Sequence, residues 1–408
     1  MKAANKDNNI NFFLFLVLTV LALFFTYFDA IVNKIDSTMF AFSYKYGFIS
    51  RGFVGTVFRG INNLLPFDIM NYKGVFVFCL ISTFIYIVLI FLFYILVLKK
   101  SDIKVKKSLK YMMFFFLLFA IPIFAGEENF GRLDIYMIMC SITAVMLILC
   151  EKIEWIIIPI LAIAVMVHQG YVFMFANVVL VLLMYKALMG EKKDTKKYLF
   201  LFVLTFIIIS GLFLYMELFS HSTGKDVYEE VVNLAQSMSR DGYSIHEDVI
   251  DKEILGIDIS ANETAFHIKN IFEFGVFVVM MLPYIIIVAK FFSRLIKNAN
   301  DKKQRWVYII VLIGSGTVLP DMLFKIDYGR WMFSVIFYYA ITIMSLLALR
   351  DKNVEEQLVT GMSNIKKKGP ISLLLLIYPI IFQPFLAIYI SDITSRIADV
   401  IMKTCHVW

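Results

Sequence analysis

Four short polar motifs stand out against an otherwise apolar chain. The first is Tyr46-Gly47-Phe48-Ile49-Ser50-Arg51-Gly52-Phe53-Val54-Gly55-Thr56, followed by Arg59. The second is Glu127-Glu128-Asn129-Phe130-Gly131-Arg132-Leu133-Asp134, and the third is His168-Gln169-Gly170-Tyr171. The fourth begins after Asp321 and reads Asp327-Tyr328-Gly329-Arg330-Trp331. Together they hold several arginines, several carboxylates and one histidine. A planar guanidinium grips phosphate bidentately. Glycines beside Arg51 let backbone approach a ligand and free its N–H groups. A carboxylate or imidazole can take a proton from an attacking hydroxyl. The arginines would hold the negative charge that builds on a departing diphosphate. Each motif also has a plainer reading: Arg51 and Arg59 as interfacial anchors, His168 as a core histidine, Asp327 and Arg330 as a helix-surface ion pair.

The elements that must position these residues are apolar. The chain has 408 residues, 60% of them hydrophobic and only 17% charged. Its mean hydropathy is +0.79. A typical soluble protein carries about 25% charged residues, so a soluble globular enzyme and a disordered chain are both excluded. Long unbroken apolar runs exclude a β-barrel, whose segments are short and alternating. The expected class is an all-α polytopic integral membrane protein. Apolar runs at 10–28, 75–98, 111–125, 136–150, 155–167, 172–188, 198–219, 271–292, 306–323, 332–349 and 371–390 give about eleven candidate transmembrane helices. No small-x-small cleavage site follows the first run, which reads as a retained span.

The net charge of +7 follows from 39 basic and 32 acidic residues. It is explained by lysine-rich loops at 99–110, 192–197, 294–305 and 350–368, not by nucleic acid. If those loops face the cytoplasm, the N-terminus is inside and the four motifs all lie on the outer side. A single transmembrane domain, 1–408, then carries an outer segment, 30–74, and an outer cap loop, 220–270. The cap loop holds Glu229, Glu230, Glu247, Asp248, Asp251 and Glu253. The C-terminal stretch 392–408 reads as a short amphipathic helix. Cys79, Cys140, Cys150 and Cys405 lack metal-ligand spacing and read as small core residues. No HExxH, CxxC, nucleotide loop or GxGxxG is present, so no metal or cofactor is expected. These features together describe glycosyl transfer from a lipid-linked donor on the outer face.

The architecture and the motifs Ser50-Arg51-Gly52-Phe53-Val54-Gly55, Gly131-Arg132-Leu133-Asp134, His168-Gln169-Gly170 and Asp327-Tyr328-Gly329-Arg330-Trp331 resemble O-antigen and capsular polysaccharide repeat-unit polymerases of the Wzy type. That resemblance implies transfer of a growing glycan from undecaprenyl diphosphate to the next lipid-linked repeat unit. It implies partners too: a flippase and a chain-length regulator in the bacterial inner membrane. Within this reading Arg51, Arg132 and Arg330 bind the diphosphate, with Arg59 beside them. His168 or Glu128 is the base, and Asp134 and Asp327 orient the arginines. The cap loop departs from the family by lacking a dense arginine motif. Two alternatives stand. A GT-C-type polyprenyl-phosphate-sugar glycosyltransferase would use Asp29 or Asp36 in the first outer loop. A flippase or transporter of lipid-linked sugars would place charge near the midplane, where this chain has little.

Overall fold

The computed structural model of the chain describes residues 31–120, 130–240, 245–257, 268–320 and 328–367, apart from 33 and 223, together with 400 and 404. The candidate spans at 10–28 and 371–390, the C-terminal stretch 392–408, and Asp29, Glu127, Glu128, Asp321 and Asp327 lie outside the described residues.

The described residues are almost wholly helical. In chain order the main helices are α1 (Lys34–Ala41), α2 (Gly52–Leu64), α3 (Tyr72–Lys100), α4 (Lys106–Ala120), α5 (Asp134–Cys150), α6 (Ile157–Val167) and α7 (Ala176–Met189). They continue as α8 (Lys192–Phe219), α9 (Tyr228–Met238), α10 (Ile268–Lys297), α11 (Lys302–Ile313), α12 (Tyr328–Ala348) and α13 (Lys352–Lys367). The all-α expectation agrees with this. The expected eleven spans do not.

Among the described residues, three helices are long and apolar enough to cross a membrane: Tyr72–Lys100, Lys192–Phe219 and Gly329–Ala348. The correction has a physical cause. The apolar runs that became α5, α6 and α7 form helices of 17, 11 and 14 residues, below the roughly 20 needed to span. Their side chains are apolar because they fill the interior of the bundle, where Ile142, Val145, Leu161, Val165, Val179 and Leu182 are fully buried. The run at 306–323 breaks where α11 ends and the chain tightens into a 3-10 turn at Gly314–Val318.

Burial separates the roles of the long helices. Only 33% and 22% of the apolar windows of α3 and α8 are buried, against 78% for α12. α12 is therefore the central post, in contact with α3, α4, α5 and α7. The outward faces of α3 and α8 expose Ile81, Phe84, Leu92, Phe200, Phe206 and Ile207. Stripes of that size match lipid and not water. The chain is membrane-embedded. Lys99 and Lys100 close α3, while Lys192, Lys193, Lys196 and Lys197 open α8. Arg350 and Lys352 follow α12, so all three long helices keep their basic ends on one side of the bundle.

The opposite ends are covered by two segments that meet. Residues Gly47–Phe48 pair antiparallel with His221–Ser222, which ties the approach to α2 to the end of α8. α9 presents Val231, Ala235 and Met238 as one buried stripe, at i, i+4 and i+7, and packs on α1. Glu229 and Glu230 in its first turn suit the positive end of the helix dipole.

α2 lies directly on the backbone of the preceding segment. A Cβ at Gly55 would collide with the carbonyl oxygens of Phe40 and Phe42. Backbone cannot yield as a side-chain tip can. Gly55→Ala is therefore expected to lower stability by about 1–3 kcal/mol or more, seen as a depressed Tm of the purified protein in detergent. An unchanged Tm would show that α2 has room to slide.

Candidate functional site

The segment 47–52 is built to hold Arg51 in an unusual position. Arg51 caps α2 in the left-handed region, at φ 61 and ψ 8. A non-glycine residue there is strained by about 1–2 kcal/mol. The surroundings fix it. The Ser50 N–H donates to Ser220 Oγ at 2.8 Å, and Ser50 Oγ donates to Gln169 Oε1 at 2.7 Å. One serine thus joins the start of α2, the turn after α6 and the end of α8. On the far side Tyr44 N–H donates to Thr56 Oγ1, which donates in turn to Gly52 O. A cation at a helix N-terminus opposes the dipole, so the positive potential of the helix end and that of the guanidinium add.

Arg51 opens onto a cavity of about 570 Å³. Its polar wall includes Ser50, Arg51, His168, Gln169, Glu217, Ser220, Lys252, Glu253 and Arg330, and its apolar wall Phe173, Met174, Phe213, Met216 and Trp331. Three of the four sequence motifs therefore meet, with Arg51, His168 and Arg330 as their contributions. The cap supplies Lys252 and Glu253, on a turn of π-helix at Asp251–Leu255.

Two ion pairs organise the charges. Arg330 Nε donates to Asp134 Oδ1 at 2.7 Å, with the side chains 22% and 5% exposed. Asp134 does not line the cavity; it sits behind Arg330 in the first turn of α5. Arg51 Nε lies 3.7 Å from Glu253 Oε1, too far for a hydrogen bond. Arg51 Nε is buried and has no hydrogen-bond acceptor. The Glu253 side chain is only 5% exposed. Burial pushes its carboxyl up from the usual carboxylate range, while Arg51, Lys252 and Ser50 pull it back.

His168 is oriented by its own turn: the Gly170 N–H donates to His168 Nδ1 at 2.9 Å. The neutral ring then carries its proton on Nε2. With Nδ1 so engaged, Nε2 is the ring's remaining polar atom.

The other expected residues lie elsewhere. Arg59 is on α2 but outside the cavity lining. Its Nη2 donates to Tyr46 Oη at 2.7 Å, its guanidinium lies over the Tyr46 ring, and Tyr46 Oη donates to Glu230. Arg59 thereby braces α2 against α9. Arg132 precedes α5, half-buried beside Gly131, and is not in the lining either. Glu128 and Asp327 are outside the described residues. Asp36 is buried in α1, where a Cβ on Gly131 would come within 3.5 Å of it, and it too lies off the cavity lining. Among the described residues, no three His, Cys, Asp or Glu side chains come together to hold a metal ion.

Sequence reasoning missed Glu253 and Lys252 as site residues. Glu253 was one acid among several in the cap, and its spacing carries no mark. The signal was its burial, which exists only once the cap has folded over α2 and α8.

No family model, no curated protein and no solved structure matches this chain. With three long apolar helices among the described residues in place of about eleven spans, the resemblance to Wzy-type polymerases and the GT-C-type alternative are both overturned. The terms that came with it, O-antigen polymerase, capsule and undecaprenyl diphosphate, fall too.

Proposed function

We propose that the cavity binds the phosphate group of a lipid-linked glycan and that the protein is a membrane-embedded enzyme transferring the glycan from that carrier. The observation that carries this reading is Arg51: a residue with a strained backbone, whose buried Nε is an unfilled donor, facing a buried carboxyl across 3.7 Å. Strain of this kind persists only where the surroundings enforce it, and it concentrates at ligand clamps and active sites.

The lining suits an amphipathic substrate. The cationic groups of Arg51, Lys252 and Arg330 meet a phosphate, and Phe173, Phe213 and Trp331 meet its apolar or sugar portion. In the transfer, an acceptor hydroxyl attacks the anomeric carbon of the donor. Its proton passes to the Glu253 carboxylate. The bond from that carbon to the phosphate oxygen breaks, and the electron pair leaves with the phosphate. Arg51, Arg330 and Lys252 hold the charge, and His168 Nε2–H donates to a phosphate or sugar oxygen. A carboxylate raised by burial is a stronger base than an ordinary one. The cavity lies at the end of the bundle away from the lysines, which supports an outer-face site in a bacterial plasma membrane by the positive-inside tendency.

Glu253→Gln tests the reading. Loss of the proton acceptor is expected to slow transfer a hundredfold or more. Cells carrying the variant would accumulate lipid-linked intermediates at the expense of finished surface glycan, with normal amounts of protein in the membrane. Because the base must be ionised, the wild-type rate should climb with pH through the raised Glu253 pKa and fall below it. Unaltered glycan in the Glu253→Gln strain would remove Glu253 from the mechanism. Complete lipid-linked units trapped on the cytoplasmic side would reassign the cavity to transport.

A further inference from the structure

Beside the polar cavity lies a second, wholly different one. It has a volume of about 280 Å³ and lies between α2, α3, α5 and α6. Phe53, Val57, Cys140, Ile160, Ile163 and Val167 are among the side chains that line it. We infer that this groove holds the hydrocarbon chain of the same lipid whose phosphate enters the polar cavity. The inference rests on the functional reading above and adds the lipid's chain to it.

Continuity is the first argument. Arg51, the cap of α2, lines the polar cavity, and Phe53 and Val54, in the first turn of that helix, line the groove. Val167 ends α6 in the groove, and His168 follows it into the polar cavity. The first turn of α2 and the last of α6 therefore form a shared wall, with phosphate-binding chemistry on one side and apolar surface on the other. A headgroup and its chain, joined by one covalent bond, match that division.

Depth is the second. The groove residues lie near the capped ends of their helices. Phe78 is six residues into α3, Thr143 nine residues into α5, and Ile160 seven residues from the end of α6. At 1.5 Å per residue the groove reaches about 9–14 Å down from those ends. That is under half of a hydrocarbon core about 30 Å thick, the depth at which a chain anchored at the headgroup level enters the bilayer. Access is the third. Val57 is 40% and Ile163 37% exposed, on a bundle whose outer surface faces lipid.

Cys140 offers a direct probe, since it lines the groove as a half-buried free thiol. With Cys79, Cys150 and Cys405 replaced by alanine, the purified protein is treated with a small membrane-permeant maleimide. A long-chain polyprenyl phosphate is expected to slow Cys140 labelling at least fivefold, and inorganic diphosphate to leave it unchanged. In parallel, Ile163→Trp, which fills the groove, should weaken binding of the polyprenyl phosphate at least tenfold. It should leave binding of water-soluble dimethylallyl diphosphate as it is. Arg51→Ala should weaken both. Polyprenyl phosphate that binds but gives no protection at Cys140 overturns the groove and spares the phosphate site. Where Cys140 does not label even without added lipid, Ile163→Trp decides: an unchanged affinity for polyprenyl phosphate, or an equal loss for both ligands, overturns the groove. Binding of both ligands untouched by Arg51→Ala overturns the phosphate site itself. Should Ile163→Trp fail to fold, the labelling experiment on the unfilled groove decides alone.

Discussion

Replacing Arg51 by glycine should give a protein more stable than the alanine variant and stop glycan transfer. The two effects separate because Arg51 contributes at two levels. Its backbone sits at φ 61, which costs an L-residue about 1–2 kcal/mol and glycine nothing. On the function proposed above, its side chain would give a phosphate guanidinium hydrogen bonds, each worth about 1.5–3 kcal/mol, so losing a bidentate pair predicts at least a hundredfold weaker function. Arg51→Ala keeps the backbone strain and loses the same hydrogen bonds. The expected order of Tm is therefore Gly above Ala, by about 1 kcal/mol of stability, with both variants inactive. Arg51→Lys keeps a charge without the fork and should fall between wild type and alanine in function. Melting of the purified variants in detergent, alongside lipid-linked intermediates in cells, reads both axes. An active Arg51→Gly protein would mean that only the left-handed turn matters and that the guanidinium is incidental.

The contrast between Arg51 and Arg59 shows what the sequence made legible and what it did not. Both are arginines in one glycine-bearing motif, eight residues apart on or beside the same helix. In an apolar chain each is conspicuous, and so are His168 and Arg330. Polar side chains that resist burial are legible because their cost is a local property of the residue. Which of them face one another is not local. Arg51 turns toward the cavity because Ser50 is held by Ser220 and Gln169, residues far along the chain. Arg59 is claimed by Tyr46 and Glu230. Glu253 was hidden for the same reason, its environment being made by α2 and α8. The span count failed on a different ambiguity. An apolar run says that a segment avoids water but not whether it meets lipid or protein. α3 and α8 meet lipid along their outward faces, whereas α5 packs on α6, α7 and α12, α7 on α5, α8 and α12, and α6 on α5 and α8.

The pair Asp134–Arg330 allows structure and function to be told apart by a double replacement. Asp134 is 5% exposed and Arg330 22%, joined at 2.7 Å between α5 and α12. Removing one partner leaves the other charge poorly solvated, which costs about 3–5 kcal/mol for a buried pair. Since Arg330 keeps some contact with water and Asp134 almost none, about 3 kcal/mol is expected for Arg330→Met, which strands Asp134, and less for Asp134→Leu. The double variant places two apolar side chains where the ions were, and such swaps are often neutral or stabilising. Its stability should return to near the wild-type value, giving a coupling energy well outside the error of a double-mutant cycle. Function should not return, because Arg330 lines the cavity and Asp134 only holds it in place. Arg330→Met alone should accumulate the same lipid-linked intermediates as the double variant. A double variant that regained both stability and glycan transfer would make Arg330 a strut between helices. The phosphate would then be left to Arg51 and Lys252. The outcome follows from desolvation: a lone buried charge is costly whether or not it is useful, and only a charge that meets substrate stays missed after that cost is removed.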